Sequence, residues 1–463
     1  MNWRLLLLEF TLLRRERRVW WSLVALALLV VGACLVTAQE QIRGSAAKAD
    51  IAAAERQRWL GQGVKDPHSA AHYSIYALKT SPALSLLDPG VDPYVGQAVW
   101  LEAHHQNDGL YRTQDEAPVL QREGLANPAA LLISIAPLFA FLLAFRAVAL
   151  ERERGTLRLA LGVGTAPLRL IALKATACVG VLVLLLIVPV GLLGAAFCVR
   201  EGTFSTDTTL RLALWCMAMT VYFVIVVMIG MIVAARITHG RAALATLFGL
   251  WTVLVLALPR WASDAVAVSW PLPSTQSVQQ ALQERAPAYW SAEQGASQHA
   301  ALLARHGVQR KEDLPVDLRG AELDMAERHS HDVFDEVLGG FYDQVSEQDL
   351  VHSLLGWISP AIAMQSLSPA LVGSDFAHHR EFIDTAERYR RDLVNRMNAA
   401  VMKPVASAGA AQPAGDAALW SQVPEFRHSR PALWTAPTAL PALVTWLVAG
   451  VLLLAVTLRR LRP

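Results

Sequence analysis

Charged residues are scarce in this chain of 463 amino acids, at 17%, where an average soluble domain carries about 25%. With 54% hydrophobic residues and a mean hydropathy of +0.34, that shortage excludes a wholly water-soluble molecule. Neither sign of charge dominates. Lys and Arg number 41 against 39 Asp and Glu, a formal net charge of +2, so nothing in the balance argues for a nucleic-acid partner. Cysteine is equally thin: Cys34, Cys178, Cys198 and Cys216 each lie inside an apolar run. A disulfide-stapled domain and a thiolate zinc site are disfavoured, since thiols in such runs pack as small apolar groups. Gly (28) and Pro (23) fall short of low-complexity composition, which predicts a mostly ordered chain.

Several motifs are missing too. No G-x-x-x-x-G-K-[ST] run occurs, so the chain has no glycine cradle and lysine with which to hold ATP phosphates. Gly162-Val-Gly164 is only a fragment of a dinucleotide fingerprint and reads as a turn. The sequence also holds no H-E-x-x-H and no G-x-S-x-G, which removes the helical metalloprotease site and the nucleophile elbow. No catalytic residue is expected.

What is present is apolar sequence in long runs. A span needs about 20 such residues to cross about 30 Å of hydrocarbon, and residues 19–37, 129–150, 170–199, 212–235, 242–258 and 437–458 meet that test. The fifth is short and ends at Pro259 and Arg260. Residues 1–18 are long for a signal-peptide leader, the apolar run that follows is longer than a signal h-region, and no small-residue cleavage site follows, so the first run is expected to be a retained helix. The fold class is an all-α polytopic membrane protein of about six transmembrane helices.

Arg and Lys near the span ends set the orientation, because cationic loops stay cytoplasmic. Arg14, Arg15, Arg17 and Arg18 precede the first span; Arg152, Arg154, Arg158 and Arg169 follow the second; Arg236 and Arg241 follow the fourth; Arg459, Arg460 and Arg462 end the chain. Both termini are therefore expected inside, with residues 38–128 and 269–436 as two large extracytoplasmic segments, mainly helical with some strand. A helix followed by turns and short strands is expected in the first, and helices over Glu322 to Leu338 and Phe376 to Asn398 in the second. Val405 to Leu419, rich in Ala, Gly and Pro, reads as flexible. Trp20, Trp21, Trp261, Trp270 and Trp434 lie near span ends, suited to interface anchoring, and Pro137 and Pro189 lie within spans, where they permit kinks.

Between the second and third spans stands residues 151–174, ERERGTLRLALGVGTAPLRLIALK. Acid and base alternate as the helix leaves the membrane. The chain turns at Gly155-Thr156, where Thr156 is placed to cap a short second helix, and it turns again before Pro167. Leu157, Leu159 and Leu161 would lie against lipid or neighbouring spans, and the polar groups would face water as a docking surface.

This loop resembles the first intracellular loop of ABC-2 type transporter permeases, which reads E-x-E-x-G-T-L followed by a small-residue turn and a basic re-entry. The resemblance implies a coupling helix in residues 151–169 that sits in a cleft of a separate ATP-binding subunit. Glu151, Glu153, Gly155, Thr156 and Leu157 are the positions it carries over, with Arg152 and Arg154 between them in the expected contact. Residues 1–18 are similar to the interfacial helix of those permeases. The stretches HSAAHYSIYALKTSPALSLLDPGVDPYVG and SPAIAMQSLSPALVGSDFAHHREF resemble members with large extracytoplasmic insertions, a group described only as a domain of unknown function.

The resemblance implies two ATPase copies as partners, which would hold ATP and Mg²⁺ while this chain holds no cofactor, and a second permease copy or sister chain. It implies a bacterial inner membrane, with a periplasmic or outer-membrane partner possible for the insertions. The alternative is a membrane-anchored receptor or scaffold that binds a ligand or envelope partner without ATP. Among the histidines, His68 and His72 stand at i, i+4, one face of a helix if HSAAH is helical. His104-His105, His329 with His331, and His378-His379 add imidazole, but sequence neighbours often point apart. Spacing alone demands no metal, and solvated or internally satisfied histidines are the preferred reading.

Overall fold

The computed structural model describes residues 3–107, 109–110, 127–162, 166–285, 292–402, 414–428 and 439–459. A basic helix, α1 (Trp3–Arg15), precedes α2 (Arg17–Leu60). Then come α3 (Pro67–Ala71) and strands β1 (Ile75–Leu78), β2 (Ala98–Leu101) and β3 (Gly109–Leu110). Four helices follow that are each apolar over a window of span length or linked to one: α4 (Pro128–Glu153), the short α5 (Thr156–Gly162), α6 (Pro167–Arg200) and α7 (Thr206–Arg236). After α8 (Gly240–Ser269) the chain runs through α9 (Thr275–Arg285), α10 (Ala292–His306), α11 (Leu318–Leu354), α12 (Pro360–Val372), α13 (Phe376–Val401) and α14 (Ala417–Ser421), and ends with α15 (Leu440–Arg459). Six of these, α2, α4, α6, α7, α8 and α15, are long and apolar enough to cross a membrane, and the chain is a helical, polytopic membrane protein.

The spans run through their prolines, and the local geometry shows how. Pro137, Pro189 and Pro259 each stand two positions after a π-helical turn, respectively Leu131–Ile135, Val183–Ile187 and Thr252–Ala257. A prolyl nitrogen has no hydrogen for the carbonyl four residues back, and its ring crowds that carbonyl. Widening the turn relieves the crowding and leaves carbonyls to be satisfied by neighbouring side chains. Tyr222 donates to the carbonyl of Ile133 (2.8 Å), Trp251 to Ser134 (2.8 Å) and Ser359 to Leu254 (2.5 Å). Hence α8 does not stop at Pro259 and Arg260, where the apolar run ends, but continues to Ser269.

Helix α7 is the centre of the bundle. Trp215, Met219, Tyr222, Phe223, Val227 and Met231 are fully buried, and Gly230 lets α4 approach so closely that a Cβ there would meet Ala144 at 2.7 Å, the small-residue contact usual between membrane helices. Helices α2, α8 and α15 form the rim and turn Leu28, Leu29, Phe248, Val253, Leu452 and Leu453 outward.

A second apolar core lies at one end of the bundle, where β1, β2 and β3 form an antiparallel sheet in that order, with Ile75 opposite Leu101. It joins the end of α2 to α3, the sheet, α11, α13 and α14 through Trp59, Ala77, Val99, Tyr342, Phe382, Val394 and Trp420. Residues from both long inter-span segments thus share one core. Part of the Ala-rich stretch expected to be flexible is fixed: Gly415 pairs with Lys65, and Trp420, on the helix that begins at Ala417, is fully buried, donating to the Gly63 carbonyl. The rest of that stretch, 405–413, lies outside the described residues.

Helix α12 departs from the expected division. Its residues fall in the second inter-span segment, yet Ala361, Ala363, Met364, Leu367 and Leu371 belong to the bundle's core. Thirteen residues reach only about 20 Å, too short to cross. Trp215 of α7 donates to Ser368 (2.9 Å), Ser368 donates to Asp88 (2.5 Å), and Ser374 donates to the Asp88 carbonyl (2.7 Å). Asp88 is thereby a buried carboxylate at the seam between the two cores.

Candidate functional site

At the bundle end opposite the second core, the four consecutive charges after α4's apolar length each reach a different element. Glu151 accepts from Lys174 of α6 (2.7 Å), and the same ammonium, 2% exposed, donates to both oxygens of Glu9 on α1 (2.9 and 3.0 Å). Arg152 donates to the carbonyls of Ala234 (3.1 Å), Ala235 (2.7 Å) and Ile237 (3.1 Å), which end α7. Carbonyls at a helix C-terminus lack partners and carry partial negative charge, so a guanidinium suits them. Glu153 accepts from the Gly240 amide (2.7 Å) at the start of α8, the reverse case. Arg154 approaches Glu16, between α1 and α2, at 3.5 Å, and Arg146 of α4 pairs with the same carboxylate.

Glu151 to Arg154 are thus a knot of α1, α6, α7 and α8, where an outward docking face was expected. Three of the four charges are engaged by other spans. The knot also explains Gly240, since a Cβ there would stand 2.4 Å from the Glu153 carboxylate. The turn into α5 is made by Gly155, whose φ of +78° is a left-handed conformation that favours glycine. Thr156 does not cap α5 as expected; its hydroxyl donates back to the Glu151 carbonyl (3.1 Å). Within α5, Leu157 is buried in the bundle's core while Arg158 and Leu159, the latter 73% exposed, face outward. Of the three leucines, Leu159 is therefore the one not packed. Val163, Gly164 and Thr165, the second half of the expected turn, lie outside the described residues.

The histidines are brought together in the other core. His68 lies in α3 and His72 caps its end. The helix starts from an Asp66 side chain that accepts from Ser69 N (3.0 Å), with Pro67 in first position. His68 and His72 share a face as their spacing suggests, with Nε2 atoms 3.2 Å apart. His104, which follows β2, completes a group of three in which one nitrogen of each ring lies within 4.8 Å of the others. Sequence proximity pairs His104 with His105; the fold pairs it with α3 instead. His104 Nδ1 meets the buried Glu327 of α11 at 2.5 Å, and His68 Nδ1 meets Asn398 of α13 at 3.2 Å. Arg390 of α13 fixes the loop before His104 by donating to the Ala103 carbonyl (2.7 Å). Burial holds His68 and His72 below the ordinary histidine pKa, and the neighbouring imidazoles push the same way, so both rings are neutral near pH 7. His331 lies close to the same Glu327 (3.6 Å), and His378 pairs with Asp375 away from this group. A separate cleft of about 620 Å³ opens beside α2, lined in part by Lys48, Trp59, Tyr76, Phe197, Tyr389 and Phe426.

Residues 276–429, which include Glu327, Arg390 and Asn398, match a family described as a domain of unknown function (DUF3526). No curated protein matches the chain.

Proposed function

We propose that this chain is the membrane subunit of an ATP-driven transporter of the ABC-2 permease type, working with a separate ATPase that binds ATP and Mg²⁺. The observation that carries the reading is the knot at Glu151 to Arg154. A short helix that receives force from another subunit is useful only if it is rigidly joined to the spans, and α5 leaves a segment whose charges grip α1, α6, α7 and α8 at once. The exposed Arg158 and Leu159 would meet the ATPase. Orientation follows from the same end of the bundle, where Arg14, Arg15, Arg17, Arg18, Arg158, Arg169, Arg236, Arg241 and Arg459 gather around span termini. On the positive-inside tendency this end is cytoplasmic and the second core periplasmic, in a bacterial inner membrane.

Two copies, or one copy and a sister chain, would face each other across the apolar rim. Closure of two ATPases on ATP would then draw the two α5 helices together and tilt the spans, for export or for mechanical work on the second core. The cleft beside α2 is the site where cargo or an envelope partner would be met.

Co-purification in mild detergent from cells that express a candidate ATPase subunit tests the reading. Capture of the ATPase, its loss with Leu159→Glu, and retained capture without transport-coupled ATP hydrolysis in Glu153→Arg are the expected results. An intact chain that never retains an ATPase would overturn it in favour of the envelope scaffold.

A further inference from the structure

We infer that His68, His72 and His104 form a site for one divalent transition-metal ion of the zinc type, in the second core and far from the 151–162 region. Donor chemistry selects the metal. Three imidazole nitrogens suit zinc and its neighbours, whereas magnesium and calcium take oxygen. Geometry fits the same ion, because two nitrogens bound at about 2.0 Å with a tetrahedral angle stand about 3.3 Å apart. The Nε2 atoms of His68 and His72 are 3.2 Å apart, and the third ring comes within 4.8 Å.

The surroundings point each ring the right way. A metal-binding histidine commonly directs its other nitrogen to a carboxylate or amide oxygen, which fixes the tautomer and frees the ligating lone pair. His104 Nδ1 faces Glu327, and His68 Nδ1 faces the Asn398 side-chain oxygen. With Nδ1 directed at these oxygens, Nε2 is the nitrogen left to ligate. Glu327 is 1% exposed and meets two histidines, His104 and His331. Burying a carboxylate is costly unless positive charge is paired with it, and a dication held by His104 would supply that charge. Glu327 Oε2 and Asn398 Nδ2 have no hydrogen-bond partner.

The scaffold comes from four elements. Helix α3 supplies two ligands, the loop after β2 the third, and α11 and α13 the carboxylate and amide behind them. His68 is buried and His72 is exposed, so the fourth position opens to water. Three protein ligands with an open fourth is the arrangement of an exchangeable or reactive centre, in contrast to a closed structural site.

None of these residues belongs to the proposed ATPase contact, so the inference stands or falls separately from the transporter reading. Its test uses the full-length protein in detergent, with any affinity tag removed, stripped with EDTA and titrated with ZnCl₂ and with CoCl₂. One zinc per chain and the visible bands of tetrahedral cobalt are expected. His72→Ala, at the exposed ligand, should abolish stoichiometric binding while the thermal transition of the apo protein is retained. Glu327→Gln should weaken zinc binding by roughly 10- to 100-fold, a change that a purely structural Glu327 would not produce. Absence of stoichiometric zinc in the parent protein, or unchanged binding in His72→Ala, would overturn the site.

Discussion

Lys174 brings one ammonium, 2% exposed, against two carboxylates from different parts of the chain. Taking an ion out of water is expensive unless it is paired, and removing one partner of such a group typically costs about 3–5 kcal/mol. Lys174→Met would leave Glu9 and Glu151 facing each other, so a loss of that order is expected in thermal unfolding of the detergent-purified chain. The triple variant that adds Glu9→Gln and Glu151→Gln should regain most of it, because it removes the uncompensated charge. A Lys174→Met protein as stable as the parent would show that the knot contributes nothing. Glu151 and Lys174 were legible in sequence as parts of one loop motif. Their third partner was not, since Glu9 stands 165 positions from Lys174 and only the packing of α1 on α6 brings it near. The histidines follow the same rule. The i, i+4 pair is readable from spacing, whereas His104, Glu327 and Asn398 arrive through sheet and helix packing that no local pattern encodes.

At the scale of elements, the junction between the loop and α8 offers the cleanest test. Gly240→Ala places a methyl 2.4 Å from the Glu153 carboxylate, so the carboxylate must leave the amide it caps. A cost of about 1–2 kcal/mol is expected, seen as faster hydrogen exchange confined to the first turn of α8; unchanged exchange there would sink the account. Sequence predicted the six spans closely because about 20 apolar residues in a row is a strong signal. It failed at their ends for identifiable reasons. The Ala-, Glu- and Arg-rich helix expected after Thr37 is present but continuous with the span as α2, and a π turn carries α8 past Pro259, neither of which hydropathy encodes. Helix α12 escaped because thirteen residues are too few to register as a span, although Leu367 and Leu371 are as buried as span residues.

For the whole molecule, the seam between the cores carries a titratable group. Burial lifts the Asp88 carboxyl from its ordinary value of 3.8 to about 6, against the hydrogen bonds from Ser368 and Gly90 that favour its ionised form. A folded-state value above the unfolded one means that this contribution to stability is fully present below about pH 4 and is lost as pH rises through about 6. Asp88→Asn should therefore raise stability near pH 7.5 by about 2–3 kcal/mol and flatten the pH dependence of the melting temperature over that window. A variant whose profile runs parallel to the parent's would refute the assignment. Above the seam stands the domain to which Trp59 belongs, and α2 runs to it from Arg17 without a break, 44 residues or about 66 Å of helix. Such a strut ties the domain's standing height to bilayer thickness. A thicker lipid sheet draws it toward the headgroups, a thinner one lifts it or leans the strut over, and about 5° of lean already swings Trp59 sideways by about 6 Å.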